Sequence, residues 1–236
     1  MNTFSKIALG TLIMTTSCAA MAELGGGTAG RTMDIEANQG NSAEAFYRSY
    51  TDVTETGVRV SHRYSNDVLV YGDFVKTETD LGAGASIEGD GYGAGVFYFL
   101  PERLEGYDVA ARASYHTQDG SSSRTTLFVN GDTYGNATAS EERTGLTAEL
   151  LVSPVEPIQP NGLTWYAGIG VSKSDTERSL KTGNSPIISD GLTGETSDTQ
   201  VIGSLGLVLP TSFGQAFAGV DYEDGSTFAV GARYQF

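Results

Sequence analysis

The sequence predicts an all-β protein, a closed antiparallel transmembrane β-barrel with ten strands, eight being the alternative count. Three observations predict it: an alternating apolar strand at the very end, strand segments of similar length, and connections that alternate between compact and long. The closing stretch FAVGARYQF puts Phe228, Val230, Ala232, Tyr234 and Phe236 on one face. Ala229, Gly231, Arg233 and Gln235 fall on the other, because strand side chains alternate with a period of two. One face suits lipid and the other suits water.

Ten segments carry strand character, beginning at Ala43, Thr56, Asp67, Gly91, Tyr107, Arg143, Leu163, Thr199, Gly214 and Ser226. Most run to about ten residues, which fits a tilted strand crossing a bilayer and exceeds the usual soluble strand. Counting back from Phe236, every second connection is compact: PTSFG, SPVEPIQPNG, PERLEG and SND. The others include TETDLGAGASIEGD, QDGSSSRTTLFVNGDTYGNATASEE and SDTERSLKTGNSPIISDGLTGETSD, with short exceptions near Asp52 and Asp224. Short turns on one side and long loops on the other is the layout of outer-membrane barrels. An even strand count then puts both termini on the short-turn, periplasmic side. The last strand is expected to pair with Ala43 to Thr51; with eight strands, that first segment would instead be a periplasmic arm.

The start of the chain carries its own signal. Residues 1–22 show Lys6, an apolar run from Ile7 to Met14 and the Ala20-Met21-Ala22 ending of a cleaved signal peptide. Cys18 lacks the bulky aliphatic residue three positions earlier that a lipoprotein signal needs; Thr15 stands there. Residues 23–42 form a Gly-rich periplasmic leader, and 43–236 the barrel. Cleavage would remove the single cysteine, so no disulfide is expected. A formal charge of -15 argues against nucleic acid, whose binders are basic. No later stretch has the ~20 apolar residues of a spanning helix.

Alternation also assigns the faces. In the fifth segment Tyr107, Val109, Ala111, Ala113 and Tyr115 oppose Asp108, Ala110, Arg112, Ser114 and His116. A midplane arginine facing lipid would cost ~2–4 kcal/mol, so the polar set belongs in the lumen. The same rule sends Arg59, Arg63, Arg112 and Arg233 inward with Asp73, Asp108, Glu149 and Asp221. If the SND turn centres on Asn66, Arg59 and Asp73 face each other as a cross-strand ion pair. Charges of both signs in a lumen this narrow predict a plug. The interface aromatics are expected at Tyr64, Tyr107, Trp165, Tyr234 and Phe236 on the periplasmic side, and at Phe74, Tyr115, Tyr222 and Phe228 toward the outer one. The first strand, AEAFYRSY, alternates poorly and its faces are left unassigned.

With VGARYQF at the end and TGVRVSHRYSNDVLVYGDF at 56–74, the chain resembles the small single-chain outer-membrane β-barrels, the group with opacity-type proteins and OmpA-type membrane domains. The resemblance implies a Gram-negative outer-membrane location among outer-membrane lipid and lipopolysaccharide. It also implies that Tyr234 and Phe236 are read by the barrel-assembly machinery. The group includes adhesins, tethers, narrow channels and enzymes, so it does not choose an activity.

Chemistry has few footholds. His62 falls on the lipid side; His116 faces inward, with Ser114 below it and Asp119 just beyond, at a spacing that is unspecific for acyl transfer. SHRYSN differs by one residue from the His-x-Ser-Asn pattern of lipid A deacylases and lies at the periplasmic end. An omptin-like protease would need outer-mouth carboxylates with a His-Asp dyad, and no matching motif occurs. GGGTAG at 25–30 follows no strand and opens no helix, so it is no dinucleotide fingerprint. No metal-ligand spacing stands out. The acids at Glu78, Asp80, Glu88, Asp90, Asp175, Glu177, Asp190, Glu195 and Asp198 read as solvated loops. The expectation is a monomeric structural or surface-interaction barrel with a plugged lumen and no catalytic residue, metal or cofactor. A narrow solute channel is the alternative, and a lipid-modifying hydrolase a distant third.

Overall fold

The computed structural model describes residues 41–50, 53–82, 85–101, 104–122, 125–129, 132–182, 192–222 and 225–236. The signal-peptide reading, Cys18, GGGTAG and Asp190 lie outside the described residues. The strands are β1 (Asn41–Tyr50), β2 (Val53–Arg63), β3 (Val68–Gly82), β4 (Ala85–Phe99), β5 (Tyr107–Ser122), β6 (Thr125–Val129), β7 (Asp132–Pro154), β8 (Thr164–Thr182), β9 (Leu192–Thr211), β10 (Gly214–Tyr222) and β11 (Ser226–Gln235). Ten of them close a barrel. Neighbours pair antiparallel in chain order, β5 passes directly to β7, and β11 returns to β1. The seam runs from Ser42 opposite Gln235 to Ser49 opposite Phe228. That pairing excludes the eight-strand count with a free first segment.

β6 is not a wall strand. It pairs with Asp132–Ala137 of β7 as a hairpin above the barrel, and the sequence reading took TTLFV for part of a loop. The other long connections are also largely strand. β7 has 23 residues, β8 has 19 and β9 has 20, about twice what a bilayer crossing needs. Their polar residues kept the two-residue alternation, but neither face is apolar there, so the periodicity signal was silent. The compact turns need particular backbones instead. Gly106 and Gly162, at φ 84° and 85°, take the left-handed conformation that closes the turns after β4 and β7.

The outward face is apolar through the middle of the wall. Val58, Val60, Leu146, Leu150, Ile169, Val171, Val201 and Leu205 are all at least half exposed. A continuous belt of that kind marks a surface that meets lipid. Aromatics edge it. Tyr107 lies 6.1 Å from Trp165 and Tyr234 stacks on Phe236 at 6.2 Å on the short-turn side. Phe74 lies 5.2 Å from Tyr92 toward the other rim. Tyr64, Tyr115, Tyr222 and Phe228 are exposed as well.

Candidate functional site

In the lumen, strand register fixes which side chains meet. Gln215 of β10 stands opposite Arg233 of β11, Arg233 opposite Glu44 of β1, Glu44 opposite Arg59 of β2, and Arg59 opposite Asp73 of β3. Charges therefore alternate along one belt of directly facing inward residues, the arrangement that cross-strand pairing favours. Arg59 donates from Nε and Nη2 to Asp73 Oδ2 at 3.2 and 2.9 Å. Its Nη1 lies 3.9 Å from Glu44 Oε1. Arg233 donates to Glu44 Oε2 at 3.3 and 3.0 Å and, from Nη1, to Gln215 Oε1 at 3.5 Å.

Tyr71 carries this belt to the opposite wall. The Arg59 guanidinium sits 4.4 Å above its ring centroid, a cation–π contact. The Tyr71 hydroxyl accepts from Arg112 Nε at 3.1 Å, and Arg112 Nη1 donates to Glu149 Oε2 at 3.2 Å. Arg112 Nη2 reaches Ser114 Oγ at 3.2 Å, and Ser204 donates to Glu149 Oε1 at 2.9 Å. Glycines of β4 and β8 make room for this network. A Cβ at Gly93 would collide with the Asp73 carboxylate, and one at Gly168 with Ser204 and Glu149. Arg59, Asp73, Arg112, Glu149 and Arg233 are all at most 7 % exposed.

Below the belt an apolar cluster lies beside the buried Ser61, Asp108 and Ser153. Leu69, Phe97, Phe99, Leu151, Tyr166 and Val208 pack together and are buried. Large rings again lie over glycines of the next strand: Tyr71 over Gly95, Tyr166 over Gly206, Phe46 over Gly57. Above the belt, past the buried Phe46, Val75 and Phe217, polar pairs add to the filling. Arg48 pairs with Glu55 opposite it, and Gln118 donates to Thr77.

Asp108 and Asp221 are inward and buried. Asp108 borders a cavity of about 40 Å³ near the short turns. Arg63 shares the inward parity but does not join the network. Its side chain curls over Phe99, 4.2 Å from guanidinium to ring centroid, and donates to the carbonyls of Ser65 and Asn66. It closes the SND turn. The sequence reading missed Glu44 and Arg48. Their strand alternates poorly because Phe46 points inward while Tyr47, next to it, points out. The seam register with Arg233 would have found Glu44. It missed the inward rings too, although Tyr71 shares parity with Asp73 and faces Gly95 in the next strand.

His116 is buried, and neither ring nitrogen has a hydrogen-bond partner. Ser114 is engaged by Arg112, and Asp119 lies on the outward face of β5. The three residues therefore form no hydrogen-bonded relay. Among the described residues no group of three or more His, Cys, Asp or Glu is arranged to hold a metal ion.

No family model matches the chain, and no curated protein matches it in sequence. Solved structures do match in fold. The translocator domain of autotransporter NalP from Neisseria meningitidis aligns at a TM-score of 0.50 with 12% identity, over 83% of this chain and 87% of that one. The β domain of the Bordetella autotransporter BrkA aligns at 0.48 with 16% identity, over 84% and 99%. KdgM porin aligns at 0.37 with 10% identity, over 83% and 99%. At such identities the likeness is one of fold alone. The chain is a closed ten-strand antiparallel β-barrel of the outer-membrane kind.

Proposed function

We propose that the protein is a monomeric outer-membrane barrel of a Gram-negative bacterium with a structural or surface-interaction role, its lumen plugged. The supporting observation is the two-layer filling. A transverse charge network from Gln215 to Ser204 lies over an apolar layer of Phe97, Phe99, Leu151 and Tyr166. Ions crossing the barrel would have to part both. The wall belongs among outer-membrane lipid and lipopolysaccharide, with the tall strands on the outer side. Purified protein in planar bilayers is expected to give no steady single-channel conductance. Reproducible open steps in the unmodified protein would replace the plug with the narrow channel.

Tyr234 and Phe236 serve as the assembly signal in this reading. Phe236 also holds the seam, since its N–H donates to the Asn41 carbonyl at 2.9 Å and its carbonyl accepts from Asn41 at 3.2 Å. Deleting Phe236 removes both bonds, worth about 0.5–1.5 kcal/mol each, along with an interface ring. The folded, heat-modifiable form on gels should fall in cells. If it falls equally when the purified chain folds into vesicles alone, the loss belongs to the seam rather than to recognition by the assembly machinery.

A further inference from the structure

The rim of the barrel is uneven. β10 ends at Tyr222, β11 begins at Ser226, β1 ends at Tyr50 and β2 begins at Val53. β8 and β9 rise far above them, to Thr182 and Leu192. The last residue of β10 pairs with Gly203 of β9. From Leu192 to Ile202, β9 therefore pairs with β8 on one side and, among the described residues, with no strand on the other. In an antiparallel ladder alternate residues turn both main-chain groups to the same side. The Thr199 N–H shows which: it donates to the Asp198 carboxylate at 2.8 Å. Thr193, Glu195, Ser197, Thr199 and Val201 thus present their N–H and C=O groups to the open side. Natural proteins usually shorten, cover or break such an edge. This one is long and regular.

Its charge is one-sided. On the outward face Asp90, Asp119, Glu142, Glu177 and Glu195 stand directly opposite one another across five consecutive wall strands. Like charges in facing positions oppose pairing, and Lys76, opposite Asp90, is the only cation in that row. The row ends at the open edge, beside Asp198. Just below it, a hydrogen bond from Ser197 and the nearby Lys173 ammonium hold the Asp175 carboxyl below its usual range despite partial desolvation, so it stays charged.

We propose that the open edge of β9, Thr193 to Val201, takes up an extended cationic polypeptide segment of a partner as an added strand. Main-chain bonds to the odd residues would supply the pairing, and lysines or arginines at alternate positions, all on one face of the added strand, would meet Glu195 and Glu177 on the outward face. This is strand addition, in which main-chain bonding gives affinity and alternate side chains give selection. The inference deepens the surface-interaction reading and rests on the tall strands facing outward; it is independent of whether the lumen conducts.

The test uses the full-length barrel in lipid nanodiscs and a peptide of alternating Lys and Thr, about ten residues long to match the edge at ~3.3 Å per residue. Hydrogen exchange of the β9 amides is read with and without peptide. The expected result is slowed exchange at Glu195, Ser197 and Val201, weakened by salt; Thr199, whose N–H already bonds the Asp198 carboxylate, is left out of the comparison. Ser197→Pro removes an open-side N–H and leaves the β8 ladder in place, and should weaken binding about tenfold or more. The same peptide N-methylated on alternate amides should not bind, nor should a Glu–Thr analogue. Equal binding of the methylated peptide would mean charge attraction without strand addition and would overturn the proposal. Protection already present in the free barrel would overturn it too, by its own chain if concentration-independent and by a second copy if not.

Discussion

Replacing Asp73 by alanine should lower the stability of the folded barrel by about 3–5 kcal/mol, the usual effect of removing one partner from a buried ion pair. Arg59 would keep a contact to Glu44 only at 3.9 Å and its seat on the Tyr71 ring. Neither replaces two hydrogen bonds to a carboxylate. Arg59→Ala should be comparably harmful, because it strands Asp73 at the lumen wall. The double variant should cost less than the sum of the singles, by more than ~1 kcal/mol, since a direct coupling is counted twice when each partner is removed alone. Asp73→Asn, similar in shape and still able to accept a hydrogen bond, serves if the alanine variant fails to fold. Urea unfolding in lipid vesicles gives all four corners of the cycle. Additive singles would mean that water screens the pair, as it does at an exposed surface, and would count against the plug.

That pair was legible before any coordinates, because a tight turn centred on Asn66 fixes the register of β2 and β3, and Arg59 faces Asp73 as counted. Turns transmit register and long loops do not. Glu44 is the contrasting case. Its partners Arg233 and Arg59 lie on the two neighbouring strands, and the Arg233 contact closes a loop through nearly the whole chain. Nothing local to AEAFYRSY announces it. The inward aromatics stayed hidden for another reason. A ring in a strand reads as lipid-facing unless a glycine across the ladder makes room for it, and that glycine sits in a different segment. The acidic row fails similarly: Asp90, Asp119, Glu142, Glu177 and Glu195 are scattered through the sequence and become one feature only through four successive registers.

Two glycine substitutions of identical chemistry should move stability in opposite directions, and the difference tests how tightly the lumen is filled. Gly231 lies on the seam strand, opposite Phe46 on one side and Phe217 on the other. A Cβ there would meet the Phe217 ring and the Ala45 carbonyl oxygen, the latter at 2.5 Å. The ring has little room to retreat in a filled lumen, and the carbonyl is part of the β1 backbone at the closing seam. Gly203 lies on the outward face of β9, where a Cβ would find nothing within 4 Å. Neither glycine has a left-handed φ, so alanine strains neither backbone. Alanine also narrows the unfolded ensemble, which stabilises by about 0.4–1 kcal/mol where space allows. Gly203→Ala should therefore be neutral to slightly stabilising. Gly231→Ala should lose about 1–3 kcal/mol to overpacking and shift the seam. Urea midpoints in vesicles measure both. If Gly231→Ala were as harmless as Gly203→Ala, the lumen would have slack at its seam, and conductance measured on that same variant would show whether ions use it.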